Sequence, residues 1–143
     1  FRERGKSIEP EAVAEAYRRA DGVTWFMQAI LNYAYSATPP SGTCRPGDVD
    51  SALTQLLKMQ HMSYSDTMGN LSMKQKQVLL AIAAEGRAEA VTSAAFIGRH
   101  NLPSASSVQS AIRPLVEKEI IYQEGNTYMV YDRFFGEWLR RQY

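Results

Sequence analysis

The sequence has one cysteine, Cys44, and two histidines, His61 and His100. A single thiol excludes an internal disulfide, and so few soft ligands argue against a metal site. There is no surplus of either charge, with 16 Lys and Arg against 15 Asp and Glu. A chain dedicated to nucleic acid usually carries a clear basic excess, so any DNA contact here has to come from a local patch. No apolar run approaches the roughly 20 residues of a membrane span. Residues 1 to 15 are charged throughout and show no signal-peptide pattern. These absences lead to the expectation of a cytoplasmic chain with no membrane partner. No Ser-His-Asp set, no paired carboxylates at a plausible site and no G-x-x-x-x-G-K-[ST] loop occur. Gly5-Lys6-Ser7 matches only the end of that loop and precedes a proline-led helix. The expectation is therefore a chain that is not an enzyme, with no catalytic, cofactor-binding or metal-binding residues.

What is present is apolar mass. Hydrophobic residues make up 45% of 143, enough for one large domain or two small ones. Residues 8–20, "IEPEAVAEAYRRA", read as a helix with Pro10 in its first turn and Ile8, Val13, Ala16, Tyr17 and Ala20 on one face. Asp21-Gly22-Val23 is a stop and restart, with Gly22 suited to a left-handed cap. "TWFMQAILNYAYSA" is apolar nearly all round, the pattern of a buried helix. "TPPSGTCRPG" is a loop that carries Cys44. Asp48 is a candidate N-cap for a third helix marked by Val49, Leu53, Leu56 and Leu57. The segment from Met62 to Asn70 either extends that helix or forms a linker, and a composition break near Gly69-Asn70 divides the chain into 1–69 and 70–143.

The second part is more regular. "LSMKQKQVLLAIAAEG" is a helix capped by Ser72 and stopped by Gly86. "VTSAAFIGRHN" is a short helix capped by Thr92, and "SASSVQSAIRPLVEKE" is a third with its cap among Ser104 to Ser107. Pro114 lies inside that third helix and predicts a kink or local irregularity. "IIYQE" and "TYMVYD" are strands joined by the hairpin dipeptide Gly125-Asn126, and residues 133–143 form a closing helix. Helix, helix, helix, strand, strand is the order of a winged helix-turn-helix. The fold class expected is thus mainly α: a small helical bundle followed by a winged helix-turn-helix with a two-stranded wing.

The exposed face of the third helix, with Ser104, Ser106, Ser107, Gln109, Ser110 and Arg113, supports two readings. Small polar residues near a helix start can hold phosphates while Gln and Arg reach base edges; equally, a serine cluster simply caps the helix. Lys74, Lys76, Arg99, His100, Arg140 and Arg141 could form a phosphate-facing rim, or be solvated helix ends. Asn126 at the wing tip completes the candidate set for DNA or partner contacts. Tyr122, Tyr128, Tyr131, Phe134, Phe135 and Trp138 alternate and then recur at helical spacing, which favours core over a base-stacking platform.

The pieces "LPSASSVQSAI", "LVEKEII" and "YMVYDRFFGEWLRR" resemble the C-terminal winged helix of prokaryotic, archaeal-type AAA+ ATPases of the STAND group. In that family a Tyr-x-Val-x-Asp strand end runs into a Phe-Phe-x-x-Trp-Leu helix, often with Pro after the Asp, where this chain has Arg133. "EPEAVAEAYRRADGVTWFMQAILNYAYS" is similar to the helical lid that follows the nucleotide-binding core, although the family's Gly-x-Pro is Gly22-Val23-Thr24 here. No Arg lies between Arg19 and Arg45 to act as a γ-phosphate sensor. The resemblance implies a lid-like first part and a regulatory, non-catalytic fragment. Its opening at Phe1 rather than Met suggests a missing N-terminal ATPase core that would hold ATP and Mg. The partner implied is that core together with a further protein or double-stranded DNA. The alternative is a winged-helix DNA-binding transcriptional regulator.

Overall fold

A computed structural model describes residues 1–143. The chain is mainly helical with two small sheets, and it divides into two compact units, Phe1–His61 and Met62–Tyr143.

The first unit is a three-helix bundle, α1 (Pro10–Ala20), α2 (Thr24–Ala37) and α3 (Pro46–Met59), preceded by a short 3-10 turn at Arg2–Arg4. Pro10 opens α1, where a missing N–H costs nothing. The helix ends on Asp21, itself left-handed at φ 48°, followed by Gly22 at φ 77°. The turn therefore places two residues, not the glycine alone, at positive φ. The buried face of α1 is Ala12, Ala16 and Ala20, spaced four apart; Val13 and Tyr17 point outward, with Tyr17 64% exposed. Likewise α2 buries only Phe26, Ile30 and Ala34, and Trp25 is half exposed. Its apolar composition overstates its burial because a three-helix bundle covers one side of each helix.

The loop read around Cys44 holds a strand. β1 (Ser7–Ile8) and β2 (Thr43–Cys44) pair in parallel, Ser7 opposite Thr43 and Ile8 opposite Cys44. Cys44 is fully buried rather than in an open loop, and burial pushes its thiol above the usual range. Asp48 is not the cap of α3. Arg45 holds that position, Pro46 is the first helical residue, and the Asp48 carboxylate accepts the Arg45 N–H at 2.8 Å.

The second unit runs α4 (His61–Gly69), α5 (Met73–Glu85), β3 (Ala88–Glu89), α6 (Ala94–Arg99), α7 (Ala105–Glu117), β4 (Ile121–Glu124), β5 (Thr127–Val130) and α8 (Arg133–Gln142). The units divide before Gly69-Asn70 because α4 packs within the second one. Tyr64 stacks on Phe135 at 4.9 Å and lies 5.6 Å from Trp138. Its hydroxyl donates to Asp132 at 3.3 Å, and desolvation followed by the Asp132 charge drives its pKa far upward. Asp132 also caps α8, accepting from the N–H groups of Phe134 and Phe135.

Ser72 and Gln75 form a reciprocal capping box at the start of α5, and Gly86 at φ 74° ends it. Ser93, not Thr92, caps α6. Ser104 caps α7, which continues through Pro114 to Glu117. Pro114 supplies no N–H to the Ser110 carbonyl one turn before it, yet the helix runs on past it. Val108, Ala111, Ile112 and Leu115 are buried beneath, while Val116 is 37% exposed. The β4–β5 hairpin turns at Gly125, φ 63°. A third strand joins it: the sheet order is β3-β5-β4, antiparallel throughout.

Candidate recognition surface

α5, α6 and α7 followed by the three-stranded sheet give the winged-helix arrangement, with α7 in the recognition position and the β4–β5 hairpin as the wing. Between them lies a groove of ≈ 470 Å³. Gln109, Ile112 and Arg113 line its helix wall; Gln123, Asn126 and Tyr128 line its wing wall. The register puts Gln123 directly opposite Tyr128, so both side chains stand on the sheet face turned to the groove.

Three of the sequence-derived candidates, Gln109, Arg113 and Asn126, therefore meet in one groove. The others do not. Ser104 accepts the Ser107 N–H at 3.1 Å, and its hydroxyl donates to that of Ser107 at 3.0 Å. Ser104 and Ser107 are helix-capping groups, and Ser106, 3.1 Å from Ser104, belongs to the same cluster. Lys74 and Lys76 sit in the first turn of α5 and do not line the groove. Glu89 and Gln123 do line it and are not singled out by the sequence: β3, which carries Glu89, is too short to show a period, and Gln123 lies on β4, where the hairpin pattern does not say which face meets α7.

The electrostatics of this surface are balanced. Arg113, the one basic residue of α7, donates from Nε to Glu117 Oε1 at 3.2 Å, one helical turn on. Glu89 puts a negative charge on the opposite side of the groove. Gln123 Nε2 donates to the Gly125 carbonyl at 2.9 Å, stiffening the wing tip.

The basic rim is drawn inward too. Arg99 and His100 both reach Glu85, at 2.9 and 2.8 Å. Hydrogen bonds from His100 and then Arg99 lower the Glu85 pKa. Arg140 and Arg141 share Glu137, at 2.8 and 3.2 Å, and Arg140 also donates to the Ala83 carbonyl at 3.0 Å. Burial works against the Glu137 charge, but bonds from these two arginines outweigh it and keep its pKa low. These four bases are tied into the domain rather than presented as a free phosphate-facing rim.

No group of three or more His, Cys, Asp or Glu side chains is placed to hold a metal ion, and no helix is long and apolar enough to cross a membrane. Of the aromatic set, Phe135 and Trp138 are buried, Tyr122, Tyr128 and Phe134 are half-buried, with Tyr128 against the groove, and Tyr131 is 59% exposed.

A helix-turn-helix carrying a β-hairpin wing defines a binding domain of the winged-helix class. Residues 62–141 match the family described as a probable winged helix domain, and the chain belongs to that family. The family points to a regulatory role through DNA or protein binding, and such domains are typically non-catalytic. No curated protein and no solved structure matches the chain.

Proposed function

We propose that the chain is a non-catalytic regulatory module whose winged helix engages a protein partner through the groove between α7 and the wing. The observation that carries this reading is the Arg113–Glu117 pair. Duplex DNA is held chiefly through neutralised phosphates, yet the one arginine of α7 already has a carboxylate on its own face. Gln109, Gln123 and Asn126 offer amides that both donate and accept, which suits a polar protein surface of little net charge.

The resemblance to archaeal-type AAA+ ATPases of the STAND group extends the proposal. The first unit would act as the lid beside a nucleotide-binding core holding ATP and Mg. The winged helix would carry the nucleotide state to its partner. The second reading is a DNA-binding transcriptional regulator. It is favoured by the convergence of Gln109 and Arg113 in the groove, since both side chains can address base edges.

A titration against mixed-sequence double-stranded DNA at low and moderate salt separates the two. The protein-coupling reading expects no micromolar binding at either salt. Micromolar binding that falls steeply with salt would overturn it in favour of the DNA reader. Glu117→Gln would then tighten binding by releasing Arg113.

A further inference from the structure

A slot of ≈ 210 Å³ lies inside the first unit, between the C-terminal half of α2 and the N-terminal half of α3. Asp48, Ser51, Ala52 and Gln55 form its α3 wall, and Tyr33, Ala34 and Ala37 its α2 wall. Both sets recur at helical spacing, so each wall is one face of its helix. From Asp48 to Gln55 the helix rises about 10 Å. The slot is therefore long and narrow, with Asp48 and Gln55 towards opposite ends. It stays open because Ala34 and Ala52, both buried, put only methyl groups between the two helices.

The polar groups of the slot are free to meet a ligand. Asp48 is the one charged residue on its walls. One carboxylate oxygen accepts the Arg45 N–H at 2.8 Å, and the other has no partner in the chain. The Arg45 guanidinium turns to Glu9 at 3.6 Å and does not line the slot. The hydroxyls of Ser51 and Tyr33 and the Gln55 amide also make no hydrogen bond within the chain. The end of α2 brings the negative pole of a helix dipole beside them, while Asp48 answers the positive pole of α3. One acid, no base and neutral hydrogen-bonding groups at the far end select a cation with a polar tail. The narrow section selects an unbranched one.

We propose that the α2–α3 slot is a binding site for a small unbranched primary amine. Its ammonium sits against the free oxygen of Asp48 and the Ser51 hydroxyl, three donors facing acceptors only. Its methylenes run over Ala34 and Ala52, and its far end bonds to Gln55 and the Tyr33 hydroxyl. The site belongs to the first unit and does not depend on what the α7–wing groove binds.

The test titrates the isotopically labelled 143-residue chain with terminal aminopentanol, pentanediol and hydroxypentanoate, which differ only in the charge of one end. Aminopentanol is expected to shift the amides of Tyr33, Ala37, Asp48 and Gln55 with a Kd of about 1 mM and to bind at least about tenfold tighter than the diol. Hydroxypentanoate is expected to shift none of them. Asp48→Asn removes the charge but keeps an acceptor for the Arg45 N–H, and should weaken aminopentanol at least about tenfold. Ala37→Leu, at an exposed position on the α2 wall, should fill the slot and abolish the shifts while the amides of α1 stay in place. Equal binding of the amine and the diol, or undiminished binding by either variant, would overturn the proposal by showing an unselective cleft. So would the absence of any shift at these amides with aminopentanol at about 10 mM.

Discussion

Alanine supplies five of the eleven buried apolar residues of the first unit (Ala12, Ala16, Ala20, Ala34, Ala52) but only four of the twenty-two in the second (Ala81, Ala83, Ala88, Ala111). The two cores are held by different means. An alanine face removes little area from water, so its value lies in letting helix backbones approach. Large side chains such as Phe96, Leu79 and Trp138 carry most of the transfer free energy at about 25 cal/mol per Å² buried. A core of the first kind is most sensitive to enlargement, and one of the second kind to truncation.

Phe96→Ala should break the second unit most severely, at a cost of about 3–5 kcal/mol. Urea unfolding followed by amide signals from each unit should show the loss in Met62–Tyr143 alone. Ala16→Leu is the matching insult to the first unit. Overpacking a fully buried site should cost about 1–3 kcal/mol, moving only the signals of Phe1–His61. If Ala16→Leu is neutral or stabilising, the contrast between the cores is wrong. Ser104→Ala removes the cap of α7 and should cost about 1 kcal/mol. Its signature is faster hydrogen exchange at Ser107 with little change at α5.

The smallest effect is expected from Glu137. Its folded pKa is lowered, so its contribution is complete above the ordinary carboxylate value of about 4.3. That contribution disappears as pH falls through the lower folded value. Glu137→Gln should therefore lower the urea midpoint of the second unit near neutrality and leave it closer to the parent in acid. Glu85, lowered by His100 and Arg99, should behave in the same direction.

The same contrast explains what the sequence shows. Ser72, Gly86, Ser104 and the Gly125 turn announce their elements because caps and turns are local chemistry, and the winged helix follows from their order. The face of α1 does not. Val13 and Tyr17 are the larger residues, so a hydrophobic pattern selects them, while the bundle selects Ala12 and Ala16 for closeness. β3 and β2 are each two residues long and exist only through their partners, which hid the third strand and the burial of Cys44. Within the candidate surface, Gln109, Arg113 and Asn126 were legible from helix and turn positions. The Arg113–Glu117 pair follows from their four-residue spacing, whereas Glu89 reaches the groove only through the β3–β5 pairing.

The bond from Tyr64 to Asp132 spans 68 residues of sequence, and it bears on the order in which the domain can be made. α4 leaves the ribosome first of this unit, but the groups that hold it, the Asp132 carboxylate and the rings of Phe135 and Trp138, come last. Because closing a long loop precedes any gain from the contact, α4 must wait undocked while α5, α6 and α7 assemble. Through that interval Tyr64 and Met68 face water. A chaperone or a neighbouring nascent chain would find its easiest hold on the segment that, in the finished domain, is sealed by the last helix.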